Sequence, residues 1–234
     1  MQKSEIEILY QDEQIIVVHK PSGLLVHPYW KETNERDNLM VRVRDQIGQR
    51  VYPIHRLDRP VSGAIMFGLN GEIVKRVQEH WHNKDLVHKE YLALAYGEIQ
   101  KEGKFDFQLS DANKVKKDAL TKFRPLALGD RSSLMQIVIE TGRTHQIRRH
   151  FSRSRCHLIG DTKHGKGNIN RHYRENHDFH RIFLHSYRFK LDLDFLKIDV
   201  VCPMPEELTK LLDELQIDYN FIPKWKELSD SPEE

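Results

Sequence analysis

Cysteine is scarce: Cys156 and Cys202 are the only two in 234 residues, at no paired spacing. That excludes a disulfide framework and a cysteine-built zinc site. No apolar run approaches the ~20 residues that a membrane-spanning helix needs. Met1 to Tyr10 is mixed polar and acidic and lacks the basic-then-apolar pattern of a secretory signal. The expectation is a cytoplasmic protein with reduced thiols and no membrane partner. An HExxH string is also missing, so His164, His172, His177, His180 and His185 are read without a metal.

Acid is absent where base collects. Between Thr141 and Gly160 there is no Asp or Glu, while Arg143, Arg148, Arg149, Arg153 and Arg155 accumulate beside His145, His150 and His157. The formal net charge of +2 conceals this block. After Pro205 nine acids face three lysines, which makes Ser229 to Glu234 a solvated tail. A third scarcity is local: Asp58 is the only acid between Gln46 and Gly71, with Arg56 before it and Arg59 directly after. Guanidinium groups favour an ionised carboxylate, so Asp58 is a charged anion available as a nucleophile or electrostatic anchor. A structural salt bridge is the alternative.

The chain is long enough for a sizeable core, and 38% hydrophobic with 31% charged residues is globular. Glu5 to Tyr10 and Gln14 to His19 read as a hairpin, with Ile15 to Val18 its buried half. Lys20-Pro21-Ser22-Gly23 breaks that strand and leads into a further extended piece from Leu24. Tyr29 to Asn38 reads as a surface loop, Leu39 to Ile47 as a helix, Ala64 to Leu69 as a core strand, and Glu72 to Asn83 as a helix. Val87 to Tyr96 and Leu134 to Glu140 read as strands, whereas 104–127 is poorly patterned. A helix begins near Thr144, with Ile147 and Phe151 on its apolar side and arginines elsewhere. Residues 160–181 read as a long loop before strands near Phe183 to Leu191 and Ile198 to Cys202. Pro205 starts a helix with Leu208, Leu211, Leu212 and Leu215 buried. The expected fold is one α+β domain over 1–234, its core about 8–201, around a mixed or mainly antiparallel sheet.

Five strings carry chemistry: KPSGLLVHP at 20–28, HRLDRPVSG at 55–63, KEY at 89–91, TGRTHQIRRH at 141–150 and LIGDTKHG at 158–165. In this order and spacing they resemble the RluA branch of the pseudouridine synthases, from about Ile8 to Val201. Val61 stands where that branch usually carries Thr, which keeps the shape and loses a hydroxyl. The stretch from Val43 to Gln49, and GDTKHG followed by an Asn-Arg segment, are most similar to the subfamily that acts on uridine 65 of tRNA.

The resemblance implies a catalytic fold with an RNA-binding cleft, and a cofactor-free isomerisation of uridine to pseudouridine by a monomer. Asp58 is the implied catalytic carboxylate. Arg148 pairs with it, Ile147 packs beside the target base, and Tyr91 stacks on the uracil and assists proton removal. A base in structured RNA must be flipped out to meet a carboxylate, and His55 and Arg56 would hold the emptied stack. Arg143, Arg149, Arg153, Arg155, Lys163 and Lys166 could neutralise phosphates. Asp161 is the nearest candidate second carboxylate, and reads equally well as a turn residue. Three rivals stay open: a 23S rRNA target for the same chemistry, a non-catalytic RNA-binding module, and a metal-dependent hydrolase.

Overall fold

A computed structural model describes residues 5–27 and 37–220, so most of the loop expected over 29–38 and the whole acidic tail lie outside the described residues. In chain order the elements are β1 (Ile8–Gln11), β2 (Ile15–Lys20), α1 (Leu39–Ile47), β3 (Tyr52–Pro53), β4 (Ser62–Gly68), α2 (Gly71–His80), β5 (Val87–Tyr96), β6 (Gly103–Phe105), β7 (Leu109–Ser110), β8 (Lys116–Lys117), β9 (Thr121–Gly129), β10 (Ser132–Ile139), α3 (Gln146–Arg153), α4 (Gly167–His177), β11 (Leu184–Leu193), β12 (Leu196–Val201) and α5 (Glu206–Glu214). This is an α+β fold. Within it the chain divides into two compact units. Of the described residues, one holds those up to His88 with Ser186–Pro203, the other Lys89–His185 with those from Met204 on.

The first unit grows from the β1–β2 hairpin, in which Asp12 Oδ1 accepts the N–H groups of Gln14 and Ile15 and closes the turn. β2 continues antiparallel onto β4, and β3 adds to β4. Ile15 to Val18 are all fully buried, as expected of a strand covered on both faces. Ile15, Val17, Ala64 and Met66 pack with Ile73 and Val77 of α2 and with Phe189, Leu191, Ile198 and Val200 of β11 and β12. Both helices begin on an Asn cap: Asn38 Oδ1 accepts from Val41 and Asn70 Oδ1 from Ile73. The Asn70-Gly71 pair thus opens a helix. Leu24 to Val26 form no strand; the Leu25 and Val26 carbonyls accept from Leu39 and Met40 and anchor the start of α1.

The second unit is built on β5, β10, β9 and β6, each antiparallel to the next. β9 was not legible in the sequence. Lys122 and Arg124 interrupt its apolar pattern, and Pro125 falls where the β9–β10 pairing shifts, a position that tolerates proline. A polar ladder crosses three strands: half-buried Arg124 donates twice to Gln136 Oε1, and buried Gln136 Nε2 donates to buried Glu90 Oε2 at 3.2 Å. The long loop expected over 160–181 contains α4. Only Ile169, Asn170 and Tyr173 of that helix are buried, so its apolar stripe was too thin to recognise.

Candidate active-site residues

Asp58 lies in the first unit, in a tight turn where its carbonyl accepts the Val61 N–H at 3.0 Å, just before β4. Arg56 and Arg59 flank it and are exposed, while Leu57 and Val61 are buried and hold the loop down. The loop is also held by the KPSG string. Lys20 is fully buried, and its ammonium donates to the carbonyls of Pro21, Leu24 and Arg59 at 2.8, 2.7 and 3.0 Å. Ser22 Oγ donates to the Pro60 carbonyl, and Gly23 and Arg59 exchange hydrogen bonds. Gly63 closes the string with φ +121°, and any Cβ there would collide with the Ser186 backbone. Strand, turn and clamp therefore fix the backbone on either side of the carboxylate.

His55, beside Arg56, is half-buried. Its ring stacks on Trp81 at 4.8 Å and on Phe189 at 5.4 Å, and its Nε2 accepts the Met66 N–H at 3.0 Å. A nitrogen that accepts carries no proton, so the neutral Nδ1–H tautomer is fixed. The packed ring thus ties the start of the loop to β4 and α2. Arg56, next to it, is exposed as a contact residue would be.

In the second unit Tyr91 lies on β5 opposite Ile137 and is buried. Lys89, two residues earlier on the same strand face, is also buried; burial pulls its ammonium down to about 8, with Glu140 opposing. α3 buries Ile147 and Phe151 as expected, and Arg148 as well. Arg148 is no solvated arginine: its Nε and Nη2 donate to the two Asp161 carboxylate oxygens at 2.9 and 2.8 Å. The side chains of this pair are 5% and 1% exposed, a fully buried ion pair. Asp161 Oδ1 further accepts the backbone N–H groups of Lys163 and His164. Burial alone would raise its pKa, but these donors and the Arg148 charge outweigh it and hold the carboxyl below the usual range. So engaged, Asp161 is suited to holding Arg148 and unsuited to activating water.

Gly160 makes this turn possible. It has φ +78°, and an added Cβ would run into the Arg181 carbonyl. Asn170 of α4 locks the turn from the other side, accepting from Gly160 N–H and donating to the Asp161 carbonyl at 3.0 and 2.8 Å. His164 meets His145, the N-cap of α3, at 2.8 Å between ring nitrogens.

The basic block divides in two. Arg143 donates to the Asp118 carbonyl, Arg149 to Ser110 and Thr144, and Arg153 to Gln108 while lying over Phe107, so these three staple residues 107–118 to α3. Arg155 and Lys163 are exposed cations with no such bond. Among the described residues no group of three or more His, Cys, Asp or Glu side chains could hold a metal ion, and no helix is long and apolar enough to cross a membrane.

Comparison with known proteins agrees with these strings. Residues 14–153 match the RNA pseudouridylate synthase family. The chain is 36% identical over 218 residues to tRNA pseudouridine synthase C of Vibrio vulnificus, covering 84% of this chain and 89% of that one. It is 34% identical to tRNA pseudouridine synthase C of Pasteurella multocida, covering 93% and 99%. In fold it is similar to human RNA pseudouridylate synthase domain containing 4, with a TM-score of 0.75 at 22% identity, over 91% of this chain and 94% of that one.

Proposed function

Because the chain belongs to the RNA pseudouridylate synthase family, we propose that it converts a uridine of tRNA to pseudouridine, with uridine 65 as the target and Asp58 as the catalytic carboxylate. The observation that carries the substrate is the identity to proteins named tRNA pseudouridine synthase C, 34–36% over most of both chains. The reaction is an isomerisation. The N1–C1′ bond breaks, the base turns over, a C5–C1′ bond forms, and N1 gains a proton as C5 loses one. It consumes no oxidant or reductant, and one carboxylate can attack or stabilise the reacting centre where a hydrolase would need a second to activate water.

The clamp on the Asp58 loop supports this role, since a catalytic group must be held near its reacting geometry before substrate arrives. Tyr91 and Arg148 complete the proposed catalytic set, in the roles that the resemblance implies, with Ile147 beside them. Arg56 is proposed to hold the emptied stack, supported by the packed His55 ring. Arg155 and Lys163, with the tips of Arg143, Arg149 and Arg153, supply charge toward phosphate. The proposed enzyme works as a monomer in the cytoplasm.

Carbodiimide mapping with reverse transcription, on tRNA and large-subunit rRNA from cells with and without the gene, tests the reading. The modification is expected to vanish from tRNA and return with the wild-type gene but not with Asp58→Asn. Full yield from Asp58→Asn would refute the mechanism, and loss of an rRNA site alone would move the target.

A further inference from the structure

We infer that the outer face of α4, together with the loop that leads into it, is a second docking surface for the RNA backbone, apart from the arginines of α3. The inference rests on the tRNA reading above and deepens it. From Thr162 to His177 the cations are Lys163, Lys166, Arg171 and Arg174, against one acid, Glu175. All four cations are exposed. Arg171 and Arg174 are three residues apart and thus neighbours on the helix surface, both exposed while Ile169, Asn170 and Tyr173 are buried.

What separates this face from an ordinary solvated one is that its charges are unspent. Net charge is only +2, so acids are at hand, and other arginines use them: Arg42 pairs with Asp37, Arg188 with Asp199 and Arg181 with Glu207. Among the described residues Lys163, Lys166, Arg171 and Arg174 make no ion pair, and Glu175 beside them stays unpaired too. Four desolvation-free cations within one helix and its lead-in suit a polyanion whose phosphates recur along a backbone.

The helix is also held in place from beneath by polar contacts. Asn170 bonds both Gly160 and Asp161, and Asp161 grips Arg148. His177, at the far end, meets Glu214 of α5 at 3.0 Å. A phosphate track on α4 is therefore fixed relative to the turn that carries Arg148, as a surface that positions RNA must be.

The experiment measures binding of unmodified tRNA transcript over a range of salt for the wild-type protein, Arg171→Ala with Arg174→Ala, and a charge-matched control, Lys197→Ala with Lys210→Ala. The α4 variant is expected to raise Kd about tenfold and to flatten the slope of log K against log salt by about two, while the control does neither. In turnover, KM for tRNA rises and kcat stays within about twofold. An α4 variant whose Kd and salt slope match the wild type overturns the inference, as does a control that loses as much. The binding readout judges α4 whether or not pseudouridine forms; a wild-type protein that binds tRNA without modifying it would strike the functional reading instead.

Discussion

Arg148 and Asp161 meet edge to edge inside the second unit, two guanidinium nitrogens on two carboxylate oxygens at 2.8 and 2.9 Å. Such a pair costs desolvation on both sides, and its value lies in fixing one geometry for the arginine. In the proposed mechanism Asp161 would act through Arg148, as a positioning residue.

Asp161→Asn keeps the side-chain shape but turns an amide toward donors and takes away the carboxylate charge that grips the buried Arg148 guanidinium. The expected loss is about 3–5 kcal/mol of stability, read as a shifted urea midpoint. In the protein that remains folded, kcat falls while KM for tRNA changes little. The carboxyl titrates below its ordinary value of 3.8 when folded, so its contribution is complete above that pH and is lost as pH falls through the folded pKa. The gap between wild type and variant should accordingly close in strong acid.

Lys20→Met removes three hydrogen bonds at once and takes a donor from the carbonyls of Pro21, Leu24 and Arg59. At ~1 kcal/mol or more for each, about 3 kcal/mol is at stake. Thermal denaturation should register it, and single-turnover pseudouridine formation should slow further than binding weakens, because the loosened segment carries Asp58. Unchanged chemistry in a destabilised protein would show that the clamp serves the fold alone.

Lys89 supplies a test in alkali. Below about pH 8 it is protonated in both the folded and unfolded chain; between there and its ordinary 10.5 the folded form has lost the proton and the unfolded form keeps it. The unfolded state then binds more protons, so this group adds stability as pH rises through that window. Relative to wild type, Lys89→Met should lose about 3 kcal/mol of advantage from pH 8 to 10.5. Denaturant titrations at a series of pH values measure it.

Gly160→Ala tests the turn beneath Arg148. With φ +78° and a Cβ forced onto the Arg181 carbonyl, the substitution should cost more than the ~1 kcal/mol of an ordinary glycine replacement at positive φ. Calorimetry of the variant measures the cost.

Where burial is apolar and local, the sequence was readable. β2, β4, β5 and β10 are dense runs, and α1, α2 and α5 present clear stripes. The misses share a cause: polar residues taking core positions because a partner far along the chain satisfies them. Arg148 is buried on account of an acid 13 residues away, and α4 turns Asn170 inward because a turn ten residues earlier accepts it. Lys20 looked like strand-end punctuation and is the most buried cation near Asp58. Its only local signal was its place before Pro-Ser-Gly at the end of a strand buried from Ile15 to Val18.

The ladder from Arg124 through Gln136 to Glu90 has a bearing on folding. β9 has too weak an apolar face to choose its own alignment against β10, and a slip of one residue would turn Gln136 away from both Arg124 and Glu90 and break all three of these hydrogen bonds. The three polar side chains therefore act as a register key, setting an alignment that the apolar pattern of β9 leaves open.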